Sequence, residues 1–466
     1  MLSTAGTAFD SKWANCYNHV SMKYCIIFII IIAFVFHGCG KAAPAAKKYN
    51  VIIIAVDTLR ADHLGCYGYP YQTSPRIDAW AKKTMFFEYA WCPIPKTSAS
   101  FASMMTGLHP CIHKTKPNRG TLDEKFQTLA EMLQSNGYYT AAVVDNANLS
   151  SFFQFQQGFA AYTEVWNEVE DKTQSTPFIT ENVISFLNAL QEKPFFLWVN
   201  YIETHTPYIP PARFIPERQP GRNILELENR IVPRRVTQDM QKNDNYSEGY
   251  YIARYDGAVS YIDAEMGKII DAFFRKGLDQ NTILVFTSDH GEDLGERNYF
   301  FDHGALTFTA GARVPLLIYI PGQKSATVKT PVSIMDIYPT ILATLGIQTP
   351  YELQGVNLLT PEKNRLLYIL GMGSQAVVKN DRHFINVNPK ISKRLKIEPR
   401  HFYEFFQDPW ENKNLYSSRI VEASALFAKY DAYLKKYDYF KSTQQGKFPK
   451  KLSEKDKKSL ETLGYL

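Results

Sequence analysis

Cysteine is scarce in this chain of 466 residues, and its distribution excludes two kinds of architecture. Three of the six cysteines fall in the first 39 residues, which leaves Cys66, Cys92 and Cys111 for the rest of the chain. An odd number excludes a framework in which every cysteine is bridged, and no cysteine spacing is typical of a zinc site. Two states remain compatible with the sequence: one bridge, with Cys92 and Cys111 as the pair, or buried free thiols.

Neither positive nor negative charge is in large excess. The net charge is only +6, from 52 Lys and Arg against 46 Asp and Glu, and much of the excess lies in the Lys-rich tail from Lys435. Such a tail is usually a solvated face, so we predict no nucleic-acid partner. With 45% hydrophobic and 14% aromatic residues and no long polar tract, the composition is that of a globular protein with a large core.

No apolar run reaches the length of about 20 residues that a membrane span needs. The longest, Tyr24 to Phe36, has thirteen residues and follows Lys23, which suits the central region of a signal peptide. Gly38 and Cys39 at its end are similar to a bacterial lipoprotein cleavage site, where the cysteine is lipidated. We therefore predict a leader over residues 1–39, with the lipoprotein signal starting at Met22. The protein would be exported to the periplasm or cell envelope and anchored to the membrane through Cys39. The alternative is a short anchor that is not cleaved.

What the chain does have is an alternation of strand and helix patterns. Residues 51–56 (VIIIAV) form a continuous β-branched run, as in a buried parallel strand. Further strands are predicted at residues 140–144, 195–199, 283–287 and 314–320, with helical faces at residues 129–133 and 259–273. This order predicts an α/β fold with a large, mostly parallel sheet. Residues 40–49 read as a linker, residues 50–370 as the main domain, and residues 371–466 as a small α+β subdomain.

Acidic residues follow two of these strands. Asp57 ends the first run, and Asp289 and His290 follow the strand at 283–287. In an open parallel sheet, ligands bind beyond the carboxyl ends of the strands. Two carboxylates and an imidazole suit one divalent cation, and the sequence leaves Ca, Mn, Zn and Mg open.

Several segments in family order carry a resemblance to known proteins. They are VDTLRADHLGCYGY (56–69), ETHTPYIPP (203–211), TSDHGEDLGE (287–296), DHG (302–304) and FYEFFQDPWENKNL (402–415). In these segments, the chain from about residue 49 to its end resembles the sulfatase family of the alkaline phosphatase superfamily. The resemblance implies helices on both sides of the central sheet, a catalytic domain at 50–370 and a metal-dependent enzyme.

The nucleophile segment departs from the family pattern. Sulfatases carry Cys-x-Pro-x-Arg nine residues before the threonine of a closing Thr-Gly pair, and the cysteine is oxidised to formylglycine. Counting back nine residues from Thr106 gives Thr97, with Ala99 and Phe101 where Pro and Arg belong. Cys92 lies five residues too early. The resemblance therefore implies an unmodified Thr97 as the nucleophile.

Two further departures point the same way. Thr58 replaces the second of two adjacent aspartates, and Asp289-His290 replaces Asp-Asn. Phosphoesterase and phosphotransferase relatives use a threonine or serine nucleophile with an Asp-His pair. We therefore expect phosphoryl substrates to be preferred. The metal ligands implied by the resemblance are Asp57, Thr97, Asp289 and His290, and His205 and His303 would bind the oxyanion or protonate the leaving group.

The expected function is that of a metal-dependent hydrolase or transferase of phosphate or sulfate esters outside the cytoplasm. The ester could be a small molecule, a lipid or a glycan, because specificity comes from loops without a transferable code. One alternative is a sulfatase proper. Another is a non-catalytic envelope protein that keeps the fold as a binding module. The oligomeric state is left open.

Overall fold

The structure, a computed structural model, describes residues 48–189, 193–437 and 452–465. The predicted leader (1–39), its lipidation site Cys39 and most of the linker (40–49) lie outside these ranges. Within them, no helix combines the length and the apolarity that crossing a membrane requires.

The described elements alternate between strand and helix, as the sequence predicts for the main domain. The strands are β1 (Asn50–Val56), β2 (Met85–Phe87), β3 (Ala90–Trp91), β4 (Tyr139–Val144), β5 (Ala161–Glu164), β6 (Phe195–Tyr201), β7 (Thr282–Thr287), β8 (Asp293–Leu294), β9 (Phe300–Asp302), β10 (Arg313–Val314), β11 (Leu316–Tyr319), β12 (Ala326–Val328), β13 (Val332–Ser333), β14 (Leu367–Leu370), β15 (Ser374–Lys379), β16 (Arg382–Val387) and β17 (Arg400–Glu404). The α-helices are α1 (Pro75–Ala81), α2 (Thr97–Thr106), α3 (Pro110–His113), α4 (Leu129–Ser135), α5 (Val165–Glu168), α6 (Ser175–Asn188), α7 (Arg234–Asn243), α8 (Glu248–Arg275), α9 (Thr309–Ala312), α10 (Ile337–Thr344), α11 (Pro389–Leu395), α12 (Ile420–Tyr437) and α13 (Glu454–Thr462).

The central sheet has the strand order β12-β2-β11-β7-β1-β6-β4-β5. The run from β7 to β5 is parallel, and β11 pairs antiparallel with both β7 and β2. The prediction of a mostly parallel sheet is therefore confirmed. The strand predicted at 314–320 is split, because β10 pairs with β3 in a separate small sheet and only β11 joins the large one.

Strand β1 lies in the middle of this sheet and is buried on both faces. Val51, Ile53 and Ala55 face one apolar cluster, which also contains side chains from α2 and α10. The alternate residues face a second cluster, built with α1, α6 and α8. A strand covered on both faces reads as a continuous apolar run, which is why VIIIAV has no polar alternation.

A second sheet, β14-β15-β16-β17, is antiparallel throughout. Helix α12 packs on it through Ala423, Leu426 and Tyr430. This sheet and helix correspond to the small α+β subdomain that the sequence predicts. Its first strand begins at Leu367, and the division at residue 370 stays a prediction.

The last helix, α13, packs against the main domain. The indole Nε1 of Trp166 donates to Asp456 Oδ1 at 3.0 Å, and Lys455 Nζ donates to the carbonyl of Asn167 at 2.7 Å. Leu460 is fully buried in the cluster that contains α2. The chain beyond α13 therefore reaches the carboxyl edge of the central sheet.

Candidate active site

Neighbouring strands of the central sheet end at one edge, and a polar side chain follows each of them. Asp57 comes directly after β1, and Asp289 comes two residues after β7. On the other side of β1, Asn146 comes two residues after β4 and His205 four residues after β6. Because β7, β1, β6 and β4 are adjacent and parallel, their carboxyl ends bring these side chains to one place.

Asp57, Asp289 and His290 form a buried cluster at this edge. One ligand atom from each lies within 4.8 Å of the other two. Asp57 Oδ1 and Asp289 Oδ2 have no hydrogen-bond partner, although both side chains are fully buried. A buried carboxylate oxygen without a partner is costly, so these two oxygens suit a bound cation.

The tautomer of His290 leaves one nitrogen available to the cluster. His290 Nδ1 lies 2.9 Å from the carbonyl of Gly291, to which it donates, so Nε2 carries the lone pair. Burial lowers the pKa of His290 to about 3, which keeps the ring neutral. His290 Nε2 lies 3.3 Å from Asp289 Oδ2, and two carboxylates with a neutral imidazole are a donor set that fits a divalent metal ion.

The electrostatics of the two carboxylates also favour a cation. Burial raises the pKa of Asp57 to about 7, against a hydrogen bond from Asn146 Nδ2 to Asp57 Oδ2 at 2.6 Å. Burial and the nearby Asp57 charge raise the pKa of Asp289 well above its usual range. A divalent cation at this point would hold both carboxylates in their ionised form.

Thr97 faces this cluster from the start of α2. It is the first residue of the helix, and Lys96 is the cap residue. Thr97 Oγ1 lies 3.4 Å from His290 Nε2. The first turn of a ten-residue helix also favours negative charge beside it, because its amide groups point outward.

The neighbouring hydroxyl groups are directed elsewhere. Ser100 Oγ donates to the carbonyl of Asp289 at 2.6 Å, and Ser98 Oγ donates to the carbonyl of Asn148 at 3.4 Å. Of the three hydroxyl groups at residues 97, 98 and 100, that of Thr97 is therefore the one directed at the cluster.

The cysteines of the described chain are free. Cys66, Cys92 and Cys111 form no disulfide, so of the two states compatible with the sequence the structure has free thiols, two of them buried. Cys92 Sγ contacts the carbonyl of Gly311 at 3.9 Å, and burial raises the pKa of this thiol well above its usual range.

His205 and His303 lie on the open side of the cluster. The ring of His303 is 4.3 Å from that of His290 and 5.1 Å from that of His205, measured between centroids. His303 Nδ1 lies 3.2 Å from Glu292 Oε2, and His303 Nε2 is buried without a partner. Both rings are thus placed where they could contact a group bound to Thr97.

The structure adds residues that the sequence reasoning missed. Asn146 follows β4 just as Asp57 follows β1, so the same strand-end argument could have found it. Glu292 stands within the TSDHGEDLGE segment, but nothing in that segment indicates its contact with His303. Tyr465 is partly buried, and its Oη lies 2.9 Å from His205 Nε2. No local sequence pattern predicts this contact.

The turn after β1 is strained where it enters the site. Thr58 has a φ of +58°, which a β-branched residue rarely adopts. Its amide lies 3.3 Å from Asp289 Oδ1, and its carbonyl accepts a bond from Tyr255 of α8 at 2.8 Å. Tyr255 Oη also accepts from the amide of Arg60 at 2.9 Å. The long helix thus holds the turn that carries Asp57.

A cavity of about 490 Å³ opens beside the cluster. Lys96, Arg234, Arg235, Asp302, His303 and Tyr465 are among the residues that line it. With Glu461, which also lines it, the cavity has three basic side chains against two acidic ones. The cavity therefore suits an anionic group next to Thr97.

Comparison with known proteins assigns the family. The Sulfatase family profile matches residues 49–347. The chain belongs to the sulfatase family. It is 25% identical over 442 residues to the arylsulfatase of Clostridium perfringens, which covers 80% of this chain and 91% of that protein. It is also 25% identical over 481 residues to the ulvan-active sulfatase of Formosa agariphila, covering 90% and 92%.

Solved structures share the fold of this sulfatase-family hydrolase. A structure of BT4656 in complex with its substrate D-glucosamine-2-N,6-O-disulfate superposes with a TM-score of 0.68 at 20% identity, covering 86% of this chain and 100% of that one. The phosphonate monoester hydrolase of Agrobacterium radiobacter superposes with a TM-score of 0.66 at 18% identity, covering 84% and 96%. The prediction of an α/β fold with a large, mostly parallel sheet flanked by helices and a small α+β subdomain is confirmed.

Proposed function

We propose that this sulfatase-family hydrolase transfers phosphoryl groups from esters, with unmodified Thr97 as the nucleophile. The observation that supports it best is the direction of the three hydroxyl groups at the start of α2. Among the hydroxyl groups of residues 97, 98 and 100, only that of Thr97 contacts a side chain of the cluster, His290.

In the first step, Thr97 Oγ1 attacks phosphorus while the bond from phosphorus to the leaving oxygen breaks. The products are a phosphate ester of Thr97 and an alcohol. One of the two neutral histidines, His205 or His303, takes up the Thr97 proton and passes that same proton to the leaving oxygen. Water, or an acceptor alcohol in a transferase, then attacks the phosphorus of the Thr97 ester and restores the hydroxyl.

Asp57, Asp289 and His290 would hold one divalent cation, with Thr97 Oγ1 on its open side. When bound, the cation stabilises the alkoxide of Thr97 and the charge of the transferred group. The two partnerless carboxylate oxygens are what fit this ion. Its identity among Ca, Mn, Zn and Mg is left open.

The preference for phosphorus follows from the chemistry of the nucleophile. A sulfatase with formylglycine forms a sulfate hemiacetal, which expels sulfate without attack on sulfur. A threonine sulfate has no such exit, whereas a threonine phosphate can be cleaved by water with metal assistance. Cys92 cannot supply the aldehyde, because Ile94 and Lys96 stand where the modification pattern needs Pro and Arg.

Sulfate ester hydrolysis is the second candidate, and the names of the sequence relatives favour it. Besides the arylsulfatase and the ulvan-active sulfatase, they include iduronate 2-sulfatase and choline-sulfatase. The solved phosphonate monoester hydrolase is the counterexample within the same fold. For the ester itself we propose a small molecule, lipid or glycan whose anionic group enters the cavity beside Lys96 and Arg235.

The test is a substrate panel assayed with the metal-loaded full chain. It contains p-nitrophenyl sulfate, p-nitrophenyl phosphate, bis-p-nitrophenyl phosphate and a p-nitrophenyl phosphonate. We expect kcat/KM for at least one phosphorus ester to exceed that for the sulfate by at least about 100-fold. Each factor of ten in this ratio corresponds to about 1.4 kcal/mol of barrier. Efficient hydrolysis of the sulfate with negligible phosphoester turnover would reverse the preference.

A further inference from the structure

The end of the chain forms part of the wall of the active site. Gly464 and Tyr465 line the cavity of about 490 Å³ next to Thr97. They are held there by the docking of α13 on the main domain, through Asp456 and the buried Leu460 and Leu463. This inference concerns the site described above and rests on the proposed function.

The hydroxyl of Tyr465 contacts one of the site histidines. Tyr465 Oη is 2.9 Å from His205 Nε2. His205 Nδ1 lies 2.7 Å from the carbonyl of Thr206, to which it donates, so Nε2 is the acceptor and the phenol is the donor. The Thr97 side chain also acts on this phenol and lowers its pKa, against the burial that raises the pKa of Tyr465 well above its usual range. An oxygen of any group bonded to Thr97 must therefore come close to this phenol.

The backbone before Tyr465 is arranged to place it there. Gly464 has a φ of +76°, and a Cβ at this position would approach Arg235 Nη1 to 2.6 Å. The left-handed turn therefore favours glycine, whereas the arginine side chain could move away from a larger residue. The turn directs the chain inward, towards His205, rather than out to solvent.

We propose that Tyr465 is a catalytic residue, which donates a hydrogen bond from its phenol to an oxygen of the group transferred to Thr97. In the free enzyme this donor is held by His205, and the arriving anionic oxygen is the better acceptor. A fixed neutral donor in a buried site stabilises the negative charge that develops during transfer. Removal of one such donor typically costs about 10²- to 10³-fold in kcat.

The first experiment compares two single-atom changes in the full-length, metal-loaded chain. Tyr465→Phe removes the phenol that faces the nucleophile. Tyr138→Phe is the matched control, because it removes a phenol that donates to the Tyr49 carbonyl at the same distance of 2.9 Å, beside the amino ends of β1 and β4. We expect Tyr465→Phe to lower kcat on the best phosphorus ester by about 10²-fold, with a small change in KM. Tyr138→Phe should keep the wild-type kcat.

A kcat of Tyr465→Phe within about twofold of wild type would overturn the proposal. So would a rise in kcat, since it would mean that the phenol blocks the site. A second variant, which lacks residues 464–466, removes the phenol without replacing a core residue and shows whether its loss lowers or raises kcat. Loss at least as large as in Tyr465→Phe supports the proposal, and a gain overturns it. If the wild type cleaves no ester in the panel, the proposed function itself fails. If it does and Tyr465→Phe is unaffected, only this inference fails.

Discussion

At the scale of single residues, Asp57 and Asp289 set the chemistry of the site. Their partnerless oxygens are buried beside each other, so without a cation at least one carboxylate tends to keep its proton. Asn146 satisfies only one oxygen of Asp57. The charge of a bound metal is the simplest way to satisfy the others.

Asp57→Asn should abolish metal retention and activity while the fold stays intact. The change removes one ligand charge and keeps the volume of the side chain. Elemental analysis of dialysed protein measures the metal, and circular dichroism checks the fold. Asp263→Asn is the control, because the Asp263 carboxylate is also buried but accepts from the amides of Arg76 and Ile77 at the start of α1. Full metal content in Asp57→Asn would contradict the assignment.

His109 gives a prediction about stability rather than catalysis. Its Nε2 donates to the carbonyl of Tyr368 at 3.0 Å, and its Nδ1 accepts from the amide of Cys111 at 3.3 Å. Burial lowers the pKa of His109 to about 4. Below its unfolded pKa of about 6.5, the unfolded chain therefore binds a proton that the folded protein excludes.

The free energy of unfolding should consequently fall as the pH drops from about 6.5 to about 4, by about 3 kcal/mol from this residue. His109→Asn keeps a capping oxygen for α3 but does not titrate, so its stability should fall less over the same range. Denaturant melts of both proteins at each pH measure the difference between their free energies of unfolding. The contributions of the other histidines are the same in both proteins and cancel in this difference. Parallel curves for the two proteins would show that His109 is not a buried neutral residue.

At the scale of secondary-structure elements, the site depends on how α8 holds the turn after β1. Tyr255 bridges that turn by accepting from Arg60 and donating to the carbonyl of Thr58. The left-handed conformation of Thr58 persists because these contacts fix it. Any relaxation of the turn would move Asp57 relative to Asp289.

Tyr255→Phe should therefore weaken metal binding as well as stability. It leaves two buried backbone groups without a partner, at a cost of about 1–3 kcal/mol each. Tyr251→Phe, on the same helix, removes a phenol that donates to Asp239 at 2.8 Å and serves as the control. Metal titrations of both variants make the comparison. Equal metal affinities of Tyr255→Phe and Tyr251→Phe would show that the contacts of Tyr255 with this turn do not determine the position of Asp57.

The sequence predicts the elements of the site better than its contacts. The ends of β1 and β7 could be found, because a buried parallel strand is an apolar run and its first polar residue marks the edge. The position of Thr97 could be predicted only from its spacing within the family pattern. The role of Ser100, which bonds to the carbonyl of Asp289, depends on a partner 189 positions away in the sequence. Tyr465 depends on tertiary packing in the same way.

At the scale of the whole molecule, the chain combines a central sheet, a second antiparallel sheet and a terminal helix that returns to the first. The two ends of the chain have different roles. The far end completes the wall of the active site, whereas the near end is predicted to place the enzyme in the cell envelope.

Export and anchoring can be tested by metabolic labelling with a palmitate analogue in a bacterial host. The wild type should incorporate the label and fractionate with membranes. Cys39→Ala should neither incorporate the label nor fractionate with membranes. Cys25→Ala, within the same apolar run, is the control and should still be labelled. Absence of label from the wild type with the leader still attached would indicate the uncleaved anchor instead.

The central claim is that Thr97 itself carries the transferred phosphoryl group. The most direct measurement is to mix the metal-loaded enzyme with a phosphorus-labelled ester, quench in acid and map the labelled peptide by mass spectrometry. We predict the label on Thr97, its absence in Thr97→Ala, its retention in Ser98→Ala, and an unmodified Cys92. Label on Ser98 or Ser100, or an aldehyde at Cys92 together with a trapped sulfate adduct, would contradict this account.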